Sequence, residues 1–118
     1  MSELRLTDRA LADLDEIARR SVREWSSRVA GEYLDDLNAA LGRLEENPGL
    51  LRGHSDYSGR LQFYGVREHV LVCDVFDGRI FILTVWHGAM DIVGRLEKLE
   101  PQLVQEAELM ARKLEKPL

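Results

Sequence analysis

The sequence predicts a single α+β domain built, in chain order, from an N-terminal strand, a helical hairpin, a three-stranded antiparallel meander and a C-terminal helix. Three observations support this prediction. Two long segments in the first half repeat apolar residues every three or four positions, three segments in the second half are strand-like, and a last amphipathic segment closes the chain. With 118 residues, the chain is long enough for one domain with its own core.

The first half is predicted to form a short strand and two antiparallel helices. Residues 3–6 alternate polar and apolar side chains, as a half-buried strand does. Thr7 suits the N-cap of a helix over residues 8–26, and a second apolar stripe predicts a helix over residues 28–46. Pro48 ends that helix, because the residue before a proline avoids the helical conformation. So short a link between two helices predicts a hairpin.

The predicted first helix carries one apolar stripe. Its members are Leu11, Leu14, Ala18, Val22 and Trp25. These residues recur at intervals of three or four positions, so they share one side of the helix. We expect the indole of Trp25 to lie in the core.

Three strands are predicted after a loop rich in glycine and serine at residues 49–59. They cover residues 60–66, 68–76 and 79–86, and Asp77-Gly78 between the last two is a strong signal for a two-residue hairpin turn. The second and third strands contain runs that are apolar on both faces. We therefore expect them to be central strands that are covered on both sides.

The last segment is predicted to be a helix that Asp91 caps and that breaks near Glu100, because Pro101 fits best in the first turn of a new helical segment. Its apolar stripe consists of Leu96, Leu99, Leu103, Ala107, Met110 and Leu114. This stripe must be buried, and we favour packing on the second face of the chain's own sheet. The alternatives are a homodimer through this helix or a groove for another protein.

Charge and cysteine usage exclude several classes of protein. The net charge is −5, and the first 50 residues carry most of it, so a protein that coats nucleic acid is disfavoured. Cys73 is the only cysteine, which excludes an intramolecular disulfide and a cysteine-based zinc cluster and fits the cytoplasm. The sequence shows no signal peptide and no membrane span of about 20 apolar residues. We expect no metal and no cofactor.

Motifs in both halves resemble the RelE/ParE toxin superfamily of type II toxin–antitoxin systems. They are Ala12-Asp13-Leu14 with Ile17, Ala30 with Tyr33-Leu34, Leu44-Glu45-Glu46-Asn47-Pro48, Arg60-Leu61, Tyr64 with His69, and Val85-Trp86-His87-Gly88-Ala89-Met90-Asp91. Their order and spacing together are fairly specific. The resemblance implies a toxin domain over residues 1–96, with residues 97–118 as a C-terminal helical extension of the same domain.

The resemblance implies one of two activities. RelE-like members are ribosome-dependent endoribonucleases that cleave mRNA, whereas ParE-like members bind and poison DNA gyrase and are not nucleases. In both groups a cognate antitoxin wraps the toxin. We expect the antitoxin to contact Leu11, Leu14, Tyr33 and Leu37, since a helix seated in an apolar groove is a recurring mode of recognition.

The residues favour the ParE-like branch. A nuclease could use His87 as general acid or base and Arg60 with Arg67 as a phosphate clamp. However, no lysine precedes position 98 and no tyrosine follows Tyr64, although RelE-like sites use such groups. The expected functional surface consists of Arg60, Tyr64, Arg67, Trp86, His87 and Asp91. The prediction is therefore gyrase inhibition, with an mRNA endoribonuclease and a non-toxic family member as the alternatives.

Overall fold

A computed structural model of the chain describes residues 3–88 and 90–115. Its elements are β1 (Glu3–Leu6), α1 (Asp8–Glu24), α2 (Ser27–Glu46), a short 3₁₀ turn (Pro48–Leu50), β2 (Gln62–Val66), β3 (His69–Phe76), β4 (Arg79–His87) and α3 (Ile92–Glu115). This order confirms the predicted α+β class. Residues 1–2 and 89 of the predicted toxin domain and residues 116–118 of the predicted C-terminal extension lie outside the described residues. The division after residue 96 stays a prediction, and α3 runs without interruption across it.

The four strands form one sheet in the order β1-β4-β3-β2. The strands β2, β3 and β4 pair antiparallel, as predicted, and β1 adds to the outer side of β4 in parallel. The central strands are therefore β3 and β4, which the apolar runs predicted. Asp77 and Gly78 both have positive φ values, 54° and 70°, the backbone that a two-residue turn between twisted strands requires.

The sheet separates two apolar cores. The α1–α2 hairpin packs on one face, where Leu37, Leu44 and Ile82 are buried. The helix α3 packs on the other face, where Phe81 and Leu83 of β4 meet Leu96, Leu103, Ala107 and Ala111 of α3. The second face is thus covered within the same chain, as the sequence favoured.

The predicted break near Glu100 is wrong. The helix α3 continues from Ile92 to Glu115 with Pro101 inside it. Pro101 is exposed, so its ring lies on the solvent side, while Leu96 and Leu103 on either side of it are fully buried. A proline inside a helix costs about 3 kcal/mol, and burial of leucine side chains at about 1.5–3 kcal/mol each offsets that cost.

Two polar side chains fix α1 against the sheet. Thr7 caps α1 by accepting a bond from the Ala10 amide at 3.2 Å, and its hydroxyl donates to the Leu83 carbonyl at 3.0 Å. The Asp13 carboxylate accepts bonds from the Thr84 hydroxyl and from the Val85 amide, the latter at 3.1 Å. These bonds turn the Asp13 side of α1 toward β4.

The anchoring of Asp13 rotates α1 away from the predicted orientation. Ala10 and Ser21 are the fully buried residues of α1, whereas Leu11, Val22 and Trp25 are exposed large apolar side chains. The prediction that Trp25 lies in the core is therefore wrong, because 51% of it is exposed. The periodicity is real, but a carboxylate that reaches into the sheet determines which side of the helix faces inward. None of the helices in the described part of the chain is long and apolar enough to cross a membrane.

Candidate functional site

The carboxyl end of β4 and the β2–β3 turn meet at one end of the sheet. Arg67 and Glu68 form the turn, and His69 at the start of β3 pairs with His87 at the end of β4. We call Arg67, Glu68, His69 and His87 the open end of the sheet. Arg67, Glu68 and His87 are exposed, so three of these four residues present their side chains to solvent.

Four rings run in a row from the helical hairpin to the open end. The ring centroids of Trp25 and Tyr33 lie 6.2 Å apart, those of Tyr33 and His69 lie 5.4 Å apart, and those of His69 and His87 lie 5.4 Å apart. The Tyr33 hydroxyl makes a short hydrogen bond to Nδ1 of His69. The two inner rings are buried or half-buried, and the two outer rings, Trp25 and His87, are exposed.

Burial sets the charge state of the inner rings. It lowers the pKa of His69, and the neighbouring His87 lowers that pKa further. Burial likewise raises the pKa of Tyr33. His69 is therefore uncharged at neutral pH and Tyr33 keeps its proton. Nε2 of His87 lies 3.7 Å from a carboxylate oxygen of Glu68.

Arg67 is held at the surface by two neighbours. Its guanidinium lies 5.3 Å from the centroid of the Tyr33 ring and forms an ion pair with Asp36 of α2. The backbone of Arg67 has a φ of 51°, which belongs to the left-handed region and turns the chain sharply between β2 and β3. The side chain stays about half exposed, so it can contact a partner.

Two adjoining cavities flank the open end. The larger, about 460 Å³, lies between α1, the end of β4 and the start of α3, and the smaller, about 350 Å³, lies between the hairpin tip and the β2–β3 turn. Trp25 and Glu68 line both cavities, so the two adjoin at these side chains.

Arg60 lies at the opposite end of the sheet. It forms a two-pronged ion pair with Asp74, with contacts of 2.6–3.2 Å, and lies 3.7 Å from Glu108 of α3. Asp74 is only 2% exposed, and its bonds raise the pKa of Arg60. His69 and Asp74 stand five residues apart on β3, roughly 17 Å at 3.3 Å per residue. The expected nuclease set of His87, Arg60 and Arg67 is therefore not brought together.

Three other residues of the expected functional surface have roles in the fold itself. Trp86 is 7% exposed and packs in the core beneath α3, so its expected place on a surface is corrected. The hydroxyl of the half-buried Tyr64 accepts a bond from Nε of Arg43 at 3.1 Å on the hairpin side. Asp91 caps α3, as the sequence predicted, because its Oδ1 accepts a bond from the Gly94 amide at 3.1 Å.

The four residues expected to contact an antitoxin divide into two pairs. Leu11 is 53% exposed and Leu14 is half-buried, so both are accessible on α1. Tyr33 and Leu37 are only 3% and 2% exposed and belong to the core under the hairpin. Their expected role in an accessible surface is corrected, because the α2 stripe faces the sheet.

Trp25 is the member of the site that the sequence does not predict. The prediction places it in the core, although it directly precedes the Ser26-Ser27 break, where a helix end leaves space around a side chain. Glu68, a candidate base for the nuclease alternative, lies at the open end. Among the described residues, no cluster of histidine, cysteine, aspartate and glutamate fits a metal ion. Cys73 is buried, and burial raises the pKa of its thiol, so it is a poor nucleophile.

Comparison of the sequence with known proteins finds a family model and a curated relative. The model of the ParE toxin of the type II toxin–antitoxin system parDE matches residues 4–92. Toxin ParE1 of Caulobacter vibrioides is 30% identical over 91 residues, which cover 77% of this chain and 94% of that protein.

Two solved structures share the fold. One is a chain of the chromosomal ParDE system of P. aeruginosa, with a TM-score of 0.65, 20% identity and coverage of 74% of this chain and 96% of that chain. The other belongs to the toxin–antitoxin complex RelBE2 of Mycobacterium tuberculosis, with a TM-score of 0.51, 18% identity and coverage of 75% and 93%.

Proposed function

The chain belongs to the ParE toxin family of type II toxin–antitoxin systems, and from this premise we propose that it inhibits DNA gyrase by protein–protein contact until a cognate antitoxin binds it. The observation that carries the proposal is the match of residues 4–92 to the ParE model. The cytoplasm is the compartment that this role requires. The proposed activity needs no cofactor and no catalytic residue.

The position of Arg60 supports gyrase rather than mRNA as the target. A phosphate clamp needs a free guanidinium beside the reacting groups. Arg60 is instead engaged by the buried Asp74, about the length of β3 away from His87. A nuclease would therefore have to rely on Arg67 and His87 without it. The net charge of −5 also opposes docking to a ribosome.

We assign the gyrase-binding surface to the open end of the sheet. Arg67 and His87 are the two members of the expected surface that are both exposed and close to this end. The exposed indole of Trp25 lines one cavity with His87 and the other with Arg67. Tryptophan and arginine are enriched among the residues that dominate protein interfaces, which makes this end of the molecule the best candidate for a contact with another protein.

We assign the antitoxin-binding surface to the exposed side of α1. Leu11 and Val22 are about half exposed there, and Leu14 lies beside them. Apolar side chains spaced along one side of a helix fit a partner helix or an extended segment. Tyr33 and Leu37, which lie in the core, are not part of this surface.

A supercoiling reaction tests the proposal. Relaxed plasmid, ATP and purified gyrase are incubated with the purified chain, and we expect supercoiling to fall as the chain is added. Addition of the antitoxin encoded beside the toxin should restore the reaction. Unchanged supercoiling and unchanged DNA cleavage by gyrase, in a preparation that still stops bacterial growth, would contradict the proposal.

Two other results would support the alternative functions. Codon-specific mRNA cuts in a translation reaction, detected by primer extension and lost in His87→Ala, would establish the ribosome-dependent nuclease. Harmless expression in bacteria, together with no effect on gyrase or mRNA, would identify a family member that has kept the fold without toxicity.

A further inference from the structure

We propose that the outer face of α3 contacts the phosphate backbone of the DNA that gyrase holds. Four exposed cations define this face, which we call the basic face: Arg95, Lys98, Arg112 and Lys113. The inference rests on the proposed function and adds DNA as a second contact of the gyrase-bound chain. The match to the ParE model ends at residue 92, where α3 begins, so the family assignment does not account for this face.

The cations of the basic face differ from the other arginines in the described part of the chain. Every arginine outside α3 forms an ion pair with a carboxylate or donates a hydrogen bond to a carbonyl or a tyrosine hydroxyl. Within the residues that the structure describes, the side chains of the four α3 cations do neither. These charges therefore remain available to an external anion.

Helix geometry gathers the four cations on one side of α3. Successive residues of an α-helix are rotated by about 100° around its axis, so the four cations fall within a sector of about 100°. No glutamate of α3 falls within that sector. The opposite side packs on the sheet, where the buried residues of the helix are Leu96, Leu103, Ala107 and Ala111. The cations therefore point away from the fold.

The glutamates of α3 do not neutralise the basic face. Glu106, the nearest of them around the helix, accepts two bonds of 2.8 Å from Arg9. The others lie farther around the helix, and one of these, Glu108, lies 3.7 Å from Arg60. The chain as a whole carries a net charge of −5, whereas this face presents four cations and no carboxylate. The positive charge is therefore a local feature of one helix side.

A phosphate backbone suits this face better than a protein partner does. Leu109 is the exposed large apolar side chain of α3, and no aromatic residue accompanies it in the helix. Protein interfaces depend on buried aromatic or arginine anchors and are depleted of lysine. All lysines of this chain occur after residue 97. Phosphate contacts need only lysine, arginine and polar side chains such as that of the exposed Gln105.

The length of the face also fits duplex DNA. Arg95 and Lys113 are eighteen residues apart, roughly 27 Å at 1.5 Å per residue. Duplex DNA carries one negative charge for about every 1.7 Å of its axis, so phosphates are available along the whole of that length. A straight helix laid against the backbone can therefore place both pairs of cations, at its two ends, near phosphates.

The basic face begins at the end of the sheet that we assign to gyrase. Arg95 lines the larger cavity together with His87 of the open end. Gyrase bound at the open end therefore lies next to the start of α3, and the DNA that it holds can continue along the helix. Because the whole chain is negative, we expect weak binding to free DNA and a stronger contact once gyrase raises the local concentration of DNA.

Binding to gyrase with and without DNA tests the inference on the full chain. Immobilised gyrase, either free or loaded with a DNA duplex, is titrated with the purified chain by biolayer interferometry. We expect K98Q/R112Q/K113Q to bind free gyrase within twofold of wild type and to bind the gyrase–DNA complex at least tenfold more weakly. Arg95 is retained because it adjoins the surface assigned to gyrase. Equal losses with and without DNA would assign the face to a protein contact and overturn the inference.

A matched triple variant and the salt dependence identify the contact as phosphate. R19Q/R23Q/R28Q removes the same charge from exposed arginines of the helical hairpin and should stay within twofold of wild type on the gyrase–DNA complex. Each lost phosphate contact lowers the slope of log affinity against log salt by about 0.9, so K98Q/R112Q/K113Q should lower it by roughly 2–3. Similar losses in the two variants, or an unchanged slope, would contradict the inference.

Free duplex DNA separates this inference from the proposed function. If wild type inhibits gyrase and K98Q/R112Q/K113Q binds the gyrase–DNA complex as tightly, the basic face does not contact DNA and the proposed function stands. If wild type leaves gyrase unaffected but binds a labelled duplex at low salt, and the variant loses at least tenfold of that affinity, the proposed function fails and the assignment of the face to DNA phosphates stands. If wild type neither affects gyrase nor binds the duplex, both fail.

Discussion

The two ends of the sheet carry the same kinds of side chain and use them differently. At one end, Arg60 forms an ion pair with a buried aspartate and lies over an aromatic ring, while half of its own side chain remains in solvent. At the other end, Arg67 is exposed to the same extent, but the aspartate with which it forms an ion pair is exposed as well. Whether an arginine next to a strand has a structural role therefore depends on the burial of its carboxylate partner.

The largest expected effect comes from the buried pair. Arg60→Met leaves the Asp74 carboxylate buried without its arginine, which costs about 3 kcal/mol of the free energy of unfolding. Urea-induced unfolding measures this loss. The double variant Arg60→Met/Asp74→Leu should recover most of it, because an apolar pair of similar volume needs no charge partner. A loss below about 1 kcal/mol for the single variant would contradict the structural role of Arg60.

The ion pair of Arg60 is a feature that the sequence could not predict. Periodicity and turn residues were sufficient for the element order, the central strands and the Asp77-Gly78 turn, because these depend on local patterns. The pairing of Arg60 with Asp74 joins the segment before β2 to β3 and depends on strand register. The register follows from packing across the whole sheet, so the sequence pattern could not supply it.

The orientation of α1 could not be predicted from the sequence for a related reason. A helical period specifies which residues share a side, but it leaves open which side faces the core. Asp13 decides this orientation through its bonds to Thr84 and Val85, and Trp25 is turned outward as a result. The candidate site was accordingly predicted in part, with Arg67 and His87 in place and Trp25 absent.

A smaller effect is expected at the cap beside the open end. Asp91→Ala removes the acceptor for the Gly94 amide at the start of α3 and should cost about 1 kcal/mol in urea unfolding. Asp91→Asn keeps an acceptor in the same place and should cost a few tenths of a kcal/mol. Equal losses for the two substitutions would indicate that the charge of Asp91, rather than its capping bond, supports the helix.

Acid should weaken the open end through His69. Because burial lowers the pKa of His69 in the fold, the unfolded chain binds more protons than the native chain once the pH falls below about 6.5. The stability is therefore fully present above that pH and declines as the pH falls toward the lowered pKa. Urea unfolding at pH 7.5 and pH 5.5 measures the decline.

Two histidine variants separate this effect from general acid destabilisation. His69→Gln should show a smaller loss of stability between the two pH values than the wild type, since it lacks the group that titrates. His54→Gln, in a loop away from the open end, should retain the wild-type loss. If both variants behave like the wild type, His69 is not responsible for the decline.

The smallest expected change in stability distinguishes the two arginines most sharply. Arg67→Met breaks an exposed ion pair and one cation–π contact, so it should reduce the free energy of unfolding by less than about 1 kcal/mol. On the assignment of gyrase binding to the open end, the same substitution should weaken gyrase inhibition at least tenfold. Arg19→Met, which breaks an exposed ion pair with Asp15 on α1, provides the matched loss of charge and should leave inhibition within twofold of wild type. Similar inhibition by Arg67→Met and the wild type would place the gyrase contact elsewhere, and the two arginines would then differ only in the burial of their carboxylate partners. Because Arg60→Met destabilises the fold and Arg67→Met does not, only the second variant can separate a lost contact from a lost structure.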